Sequence, residues 1–169
     1  EVLDYGQLAV ALSRYSGAWV GLKLVTDICD GGGTVRVRPD QPAITLPDGY
    51  LKHTDPRVVA PISLALEAEV NIRRLEAARD FARANHVNRW YGARSNAWLG
   101  LCTAGKSYYD LVQALRDLGL SDRDLEQLGI RVAKFGMTFP LEPQFAREFA
   151  EGLEAIIVIE EKRSFLELQ

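Results

Sequence analysis

Sulfur and imidazole are scarce in this chain of 169 residues: it has two cysteines, one methionine and two histidines. Cys29 and Cys102 lie far apart and neither belongs to a C-x-x-C pair, so the sequence contains no zinc-type or iron–sulfur ligand set. The ordinary fate of such thiols is burial as small hydrophobes. An excess of one charge is missing too. Lys and Arg number 20 against 23 Asp and Glu, a net −3 with the signs mixed along the chain. No global field therefore draws it to nucleic acid or to an anionic membrane. Long apolar runs and a signal-peptide pattern are also absent, which makes a reducing cytoplasm the default location.

What is present is globular. Hydrophobic residues make up 47% and charged residues 25%, enough for a packed core. The length allows one ordinary domain, or one domain and a piece of another. Glu1-Val2-Leu3-Asp4-Tyr5 enters directly into an amphipathic pattern without an initiator Met, and Ser164–Gln169 stops in what reads as an unfinished helix. Both ends suggest a segment taken from a longer protein.

Leu3, Leu8, Val10, Ala11 and Leu12 form a helical stripe that Gly17 should end. Trp19–Thr26 is rich in β-branched residues and bounded by turn residues, so a strand is expected there, with Asp27 at its exit. Gly31-Gly32-Gly33 reads as a hinge, since no helix follows it. Thr34–Arg38 alternates like a half-exposed strand ended by Pro39. Residues 39–61 carry five of the seven prolines and read as a linker. From Ser63 to about Asn85 the period is helical, with Leu66, Val70, Ile72, Leu75, Ala78 and Phe81 on one side. The arginines opposite alternate with acids, as on a solvated face.

Beyond Trp90 the chain alternates strand and helix. A strand at 97–103 leads to a helix at 106–118, and a short helix Ser121–Leu128 opens on an N-cap with acidic Asp124 at N3. A strand Ile130–Gly136, a helix 144–152, a strand 155–160 and a last helical stretch follow. This pattern predicts an α/β fold, an open and mostly parallel sheet flanked by helices.

Residues 100–107, Gly-Leu-Cys-Thr-Ala-Gly-Lys-Ser, match the phosphate-loop pattern G-x-x-x-x-G-K-S/T. Either Lys106 cradles nucleotide phosphates or a strand-to-helix turn imitates the motif. A phosphate loop leaves its strand before the first glycine and turns successive N–H groups toward the phosphates. Only Ala97-Trp98-Leu99 precede Gly100, and Leu101–Ala104 continue an apolar strand, so the imitation is the better reading.

In parallel sheets ligands sit beyond the C-terminal strand ends. Thr103–Ser107, Gly136–Phe139 and Glu160–Arg163 should converge there. Thr103, Gly105, Lys106, Ser107, Glu161, Lys162 and Arg163 are accordingly the candidate residues, for a ligand or for an interdomain edge. No nucleophile–base set lies among them, which favours pairing with each other or with a neighbouring domain.

Five blocks together resemble one family. They are Leu12–Val20 with Lys23–Asp27, Leu101–Tyr108, Phe135–Glu142, Phe149–Glu154 and Ile159–Arg163. In order and spacing they are similar to the fused, single-chain indolepyruvate ferredoxin oxidoreductases. The resemblance implies an oxidative decarboxylation of aryl 2-oxoacids that uses thiamine diphosphate, magnesium and 4Fe-4S clusters, with coenzyme A and ferredoxin as acyl and electron acceptors. It also implies that residues 1–38 end a pyrimidine-binding thiamine domain and that 39–90 form a proline-rich linker and helix. Residues 91–169 would be a transketolase-C-terminal-like domain, in a protein expected to be a homodimer.

The family's catalytic glutamate, diphosphate site and cluster cysteines would lie outside this segment, so no catalytic, cofactor-binding or metal residue is assigned within it. The leading expectation is a supporting and docking segment of such an enzyme, inactive alone. The alternatives are a nucleotide-binding enzyme built on Gly100–Ser107 and a stand-alone regulatory α/β module. Exposed Trp19, Trp90 or Trp98 would mark an interface to the missing domains.

Overall fold

The computed structural model describes residues 1–37, 40 and 42–169, which form two compact units, Glu1–Asn85 and His86–Gln169. Helix α1, Val2–Ser16, opens the first unit, and Gly17 ends it in a left-handed conformation (φ 74°), its N–H bonded to Ser13 O. A glycine stop works here because a left-handed residue without Cβ incurs no steric penalty. One turn, α2 (Thr26–Cys29), follows. Helices α3 (Ile62–Ala68) and α4 (Leu75–Ala84) are joined without a break by a π-helical stretch, Glu69–Arg74.

Phe81, on the apolar face of α4, is fully buried, which stabilises by about 1.5–3 kcal/mol for a side chain of this size. The Tyr15 ring packs at 6.0 Å from Phe81 and 5.7 Å from Tyr50. The Tyr50 hydroxyl donates to Ser16 O (3.0 Å) and to the buried Glu69 carboxylate (3.2 Å). Arg74 donates to Gly17 O and His53 O, which ties the end of α1 to the π-helical stretch.

Two expected strands do not form. Trp19–Val25 and residues 34–37 have no strand structure, and Trp19 is fully exposed. Residues 38 and 39, where the second strand and its proline stop were expected, lie outside the described residues. A strand is stable only when a neighbour satisfies its backbone groups, and the described part of this unit offers no such neighbour.

The second unit is built on a four-stranded sheet of β1 (Arg89–Gly92), β2 (Leu99–Ala104), β3 (Ile130–Phe135) and β4 (Ala155–Ile159). The order is β1-β3-β2-β4. Strand β2 runs parallel to both β3 and β4, and β1 is antiparallel to β3. Helices α5 (Gly105–Asp117) and α6 (Asp122–Leu128) connect β2 to β3, and α7 (Pro143–Ala150) connects β3 to β4. The expected α/β class with an open, mostly parallel sheet is the one observed.

Alternation along the strands sorts the core into two layers. Leu101 and Val132 pack with Leu115 of α5 and Leu125 of α6. Cys102, Ala133 and Phe135 pack on the other face with Phe149 of α7 and with Leu166. Helix α6 starts at the expected Ser121–Asp124 capping box and stops at left-handed Gly129. The chain after β4 differs from expectation. Residues 161–169 form bends and one turn, with Gln169 N–H on Leu166 O, rather than a helix. Strand β1 was not anticipated, because four residues are too few for a period and its place is set by pairing with β3.

Candidate functional site

The candidate residues lie at the C-terminal ends of β2 and β4, which the parallel pairing brings to one side of the sheet. Thr103, in the penultimate position of β2, is completely buried. Its hydroxyl has no hydrogen-bond partner among the described residues. A group sealed from solvent meets no external ligand unless the structure opens. Gly105 begins α5 with φ 56° and is exposed. Lys106 Nζ lies 2.8 Å from each carboxylate oxygen of Asp110, one helical turn on, and Ser107 is half-buried in the same turn.

After β4, Glu160 folds back rather than outward. Its carboxylate accepts N–H bonds from Phe165 (2.9 Å), Leu166 (2.8 Å) and Glu167 (3.4 Å). Partial burial alone would raise its pKa, but these backbone donors together outweigh that and hold the carboxyl below its usual range. Glu161, Lys162 and Arg163 are exposed, Lys162 with φ 73°. The edge therefore carries an exposed acid and two exposed bases beside groups already engaged within the chain.

The phosphate-loop pattern is resolved by the sheet. Gly100 sits inside β2 and pairs with Arg131 and Ile156, while Leu101–Ala104 continue in register with Val132–Phe135. The residues that would have to leave the strand as a cradle are held in its ladder. Gly100 has a packing reason instead. A Cβ there would lie 2.6 Å from Leu153 Cδ1 and 2.8 Å from Phe149 Cζ, closer than real contacts allow.

Three polar residues that sequence reasoning passed over organise the sheet. Arg131 is buried, and its guanidinium donates to the carbonyls of Ala93, Arg94, Phe149 and Glu151. It also lies 5.0 Å from the Trp90 ring centroid. The Phe149 and Glu151 carbonyls belong to the end of α7, where orphan acceptors and the helix dipole favour a cation. Buried Asn88 accepts the N–H groups of Gly136 and Met137 just after β3. Buried Glu142 caps α7 by accepting from Gln144 and Phe145. The only advance signal was a charged residue inside an apolar strand, and its partners are 18 to 38 residues away.

Cys102 is buried. Burial, and secondly the nearby Glu160 carboxylate, push its thiol up to about 11. Cys29 is exposed. Among the described residues no three His, Cys, Asp or Glu side chains are grouped as metal ligands. No helix among them is long and apolar enough to cross a membrane.

Comparison with known proteins places the sheet unit. The family model described as the indolepyruvate oxidoreductase domain matches residues 88–169. The match covers 82 of the 169 residues, just under half of the chain. Across 99% of its length the chain is 26% identical to the indolepyruvate oxidoreductase subunit IorA of Methanothermobacter thermautotrophicus. It is 25% identical to IorA of Methanothermobacter marburgensis, again over 99%. It spans 26% of the length of each of these relatives.

A solved 2-oxoglutarate:ferredoxin oxidoreductase from Magnetococcus marinus, with 2-oxoglutarate, coenzyme A and succinyl-CoA bound, aligns with 61% of the chain and 16% of its own. The identity is 14% and the TM-score 0.41. The matched residues 88–169 include every strand of the sheet, Arg131 and the whole candidate edge.

Proposed function

We propose that this chain is a supporting and docking segment of a thiamine diphosphate-dependent 2-oxoacid:ferredoxin oxidoreductase of the indolepyruvate type. The observation that carries the reading is the family match over residues 88–169, extended by the IorA relatives to the whole chain. In this reading the full-length protein decarboxylates aryl 2-oxoacids oxidatively to acyl-CoA in the cytoplasm, passing electrons to ferredoxin. Its partners are the remaining domains of the same chain and a second copy of it. Residues 1–38 would close a pyrimidine-binding domain, 39–90 would be a linker and helix, and 91–169 a transketolase-C-terminal-like domain.

The residues present do not fit the family's cofactors. A 4Fe-4S cluster takes four thiolates; the chain has two cysteines, of which Cys102 is sealed in the core. A diphosphate cradle at Gly100–Ser107 conflicts with the pairing of Leu101–Ala104 in the sheet. The cofactors supply the decarboxylation and electron transfer, and this segment's part is to pack against the domains that hold them and keep water out. Thr103, Gly105, Lys106, Ser107, Glu161, Lys162 and Arg163 are then an interdomain edge rather than a substrate site.

The test is turnover. Full-length protein loaded with thiamine diphosphate and magnesium should reduce a viologen dye when given indolepyruvate and coenzyme A, and Lys106→Ala should keep that kcat. The 169-residue chain should give none. A full-length protein inert toward every aryl 2-oxoacid, or turnover by the segment alone, overturns the reading.

A further inference from the structure

The sheet has a crevice of the kind in which open parallel sheets hold their ligands. After β2 the chain turns into α5 on the Leu101–Val132 face. After β3 it leaves for α7 on the opposite Cys102–Phe135 face. The two loops therefore part at the C-terminal ends of neighbouring strands, which is a topological switch point. The start of α5 flanks it on one side and Gly136 on the other.

The groups gathered there favour an anion. The first amides of α5, from Gly105 on, have no intrahelical acceptor, and Ala104 at the N-cap has no side-chain oxygen to offer them. Space is open above Gly105, where a Cβ would meet nothing within 4 Å. Lys134 pairs in register with Thr103 on one side and with exposed Arg89 on the other. Two cations thus stand side by side at this end of the sheet, and like charges so placed repel. The Lys134 ammonium lies 4.5 and 4.7 Å from the ring centroids of Tyr108 and Tyr109, which sets it beside the first turn of α5.

Thr103 is an independent sign. It is fully buried, and its hydroxyl has no hydrogen-bond partner among the described residues. Its ladder neighbours, Lys134 and Ile159, both lie on the α5 face. The hydroxyl is therefore aimed at the underside of the first turn, two residues before Gly105. A buried hydroxyl without a partner is unfavourable, and an acceptor entering the crevice would relieve it.

We propose, on the reading of this edge as an interdomain one, that the crevice seats an acidic side chain from another domain of the full-length protein. Its carboxylate is held by the α5 amides and the Lys134 ammonium. Docking lifts the first turn about Gly105 and uncovers Thr103, whose hydroxyl then donates to the same carboxylate. One carboxylate suits the crevice better than a phosphate. Lys106, the clamp a phosphate would need, is bound to Asp110, and exposed Glu161 adds negative charge at the same edge. The IorA relatives, of which this chain spans 26%, carry the further chain that such a partner needs.

A carbodiimide, which couples an ammonium to a carboxylate in direct contact, tests this on the full-length protein. Peptide mapping should find Lys134 joined to an Asp or Glu outside these 169 residues, in a yield that dilution does not change. Thr103→Val keeps the shape and removes the hydroxyl. It should make the amides of Gly105–Ser107 exchange about 10-fold faster, the effect of one lost hydrogen bond to a charged group. Lys134 joined only to a carboxylate within the 169 residues, or to none, overturns the proposal, as does unchanged exchange in Thr103→Val. A yield that falls on dilution also overturns it and assigns the crevice to a second copy. A yield lower in inorganic phosphate than in chloride of equal ionic strength overturns it in favour of a free anion. None of these readouts needs turnover. An active protein without the crosslink sinks this proposal alone, and an inert protein with it sinks only the functional reading.

Discussion

A Cβ on Gly100 would stand 2.8 Å from Cζ of Phe149, a side chain that is itself 98% buried, given its 2% exposure. The glycine in the middle of β2 is there so that α7 can approach the sheet. Gly100→Ala should therefore destabilise the domain by about 1–3 kcal/mol, the usual cost of overpacking a filled core. A denaturant midpoint shifted by less than about 0.5 kcal/mol equivalent, the spread of neutral surface changes, would contradict this origin.

Arg131 supplies the donors for four carbonyls on two separate segments. Arg131→Met leaves those acceptors buried without partners, each costing about 1–3 kcal/mol. We expect a loss of at least about 3 kcal/mol, measured by chemical unfolding. Arg131→Lys should also be destabilised, because a single ammonium cannot reproduce the planar fork.

Glu160 gives the turn after β4 a dependence on pH. Its folded pKa is lowered, so its contribution is fully present above the pKa of an unfolded glutamate. The contribution is lost as pH falls through the folded value. Unfolding curves of the protein and of Glu160→Gln should differ at neutral pH and converge in acid below the ordinary glutamate range. A constant difference across that range would show that the carboxylate charge is not what the three N–H groups need.

Lys106 and Asp110 form an exposed i,i+4 pair with side-chain exposures of 39% and 60%. Such a pair contributes about 0.3–0.5 kcal/mol, so Lys106→Ala should change stability little. Titration of the chain with millimolar Mg-ATP should give no saturable heat before or after the substitution. Saturable binding abolished by Lys106→Ala would restore the nucleotide reading of Gly100–Ser107.

The two thiols should separate cleanly with a chromogenic disulfide reagent at pH 8. Exposed Cys29 reacts at once, whereas Cys102, buried and with its pKa pushed up to about 11, reacts only when the protein unfolds. Two fast equivalents in the folded protein would place Cys102 outside the core.

Much of the sheet domain was legible because its signals are local. The apolar runs at 97–103, 130–136 and 155–160 appear as β2, β3 and β4 within two residues at each end. Ser121 with Asp124 fixes the start of α6, and Gly17 the end of α1, through side-chain and φ preferences that need no distant partner. The same reasoning gave wrong strands at 19–26 and over the described residues 34–37. There the composition favours extended backbone, but a strand exists only with a partner to bond, and the sequence of the segment does not name one.

The candidate edge was legible in part. The sequence placed Thr103–Ser107 and Glu160–Arg163 at neighbouring strand ends, and parallel pairing put them there. It did not reveal that Thr103 is sealed in, that Lys106 turns to Asp110, or that Glu160 binds its own backbone. Nor did it single out Arg131, whose role exists only once four carbonyls distant in sequence are gathered around it.

By itself, then, the sequence determined the alternation of strand and helix and the helix caps, which depend on short-range pattern and on residue order. Tertiary structure alone decided the meaning of Gly100–Ser107. A glycine in a G-x-x-x-x-G-K-S pattern can open a cradle or admit a helix against a strand. The six pairs of the β2–β3 ladder and the ring of Phe149 select the second, because backbone groups already bonded across a sheet have no N–H left to offer a phosphate.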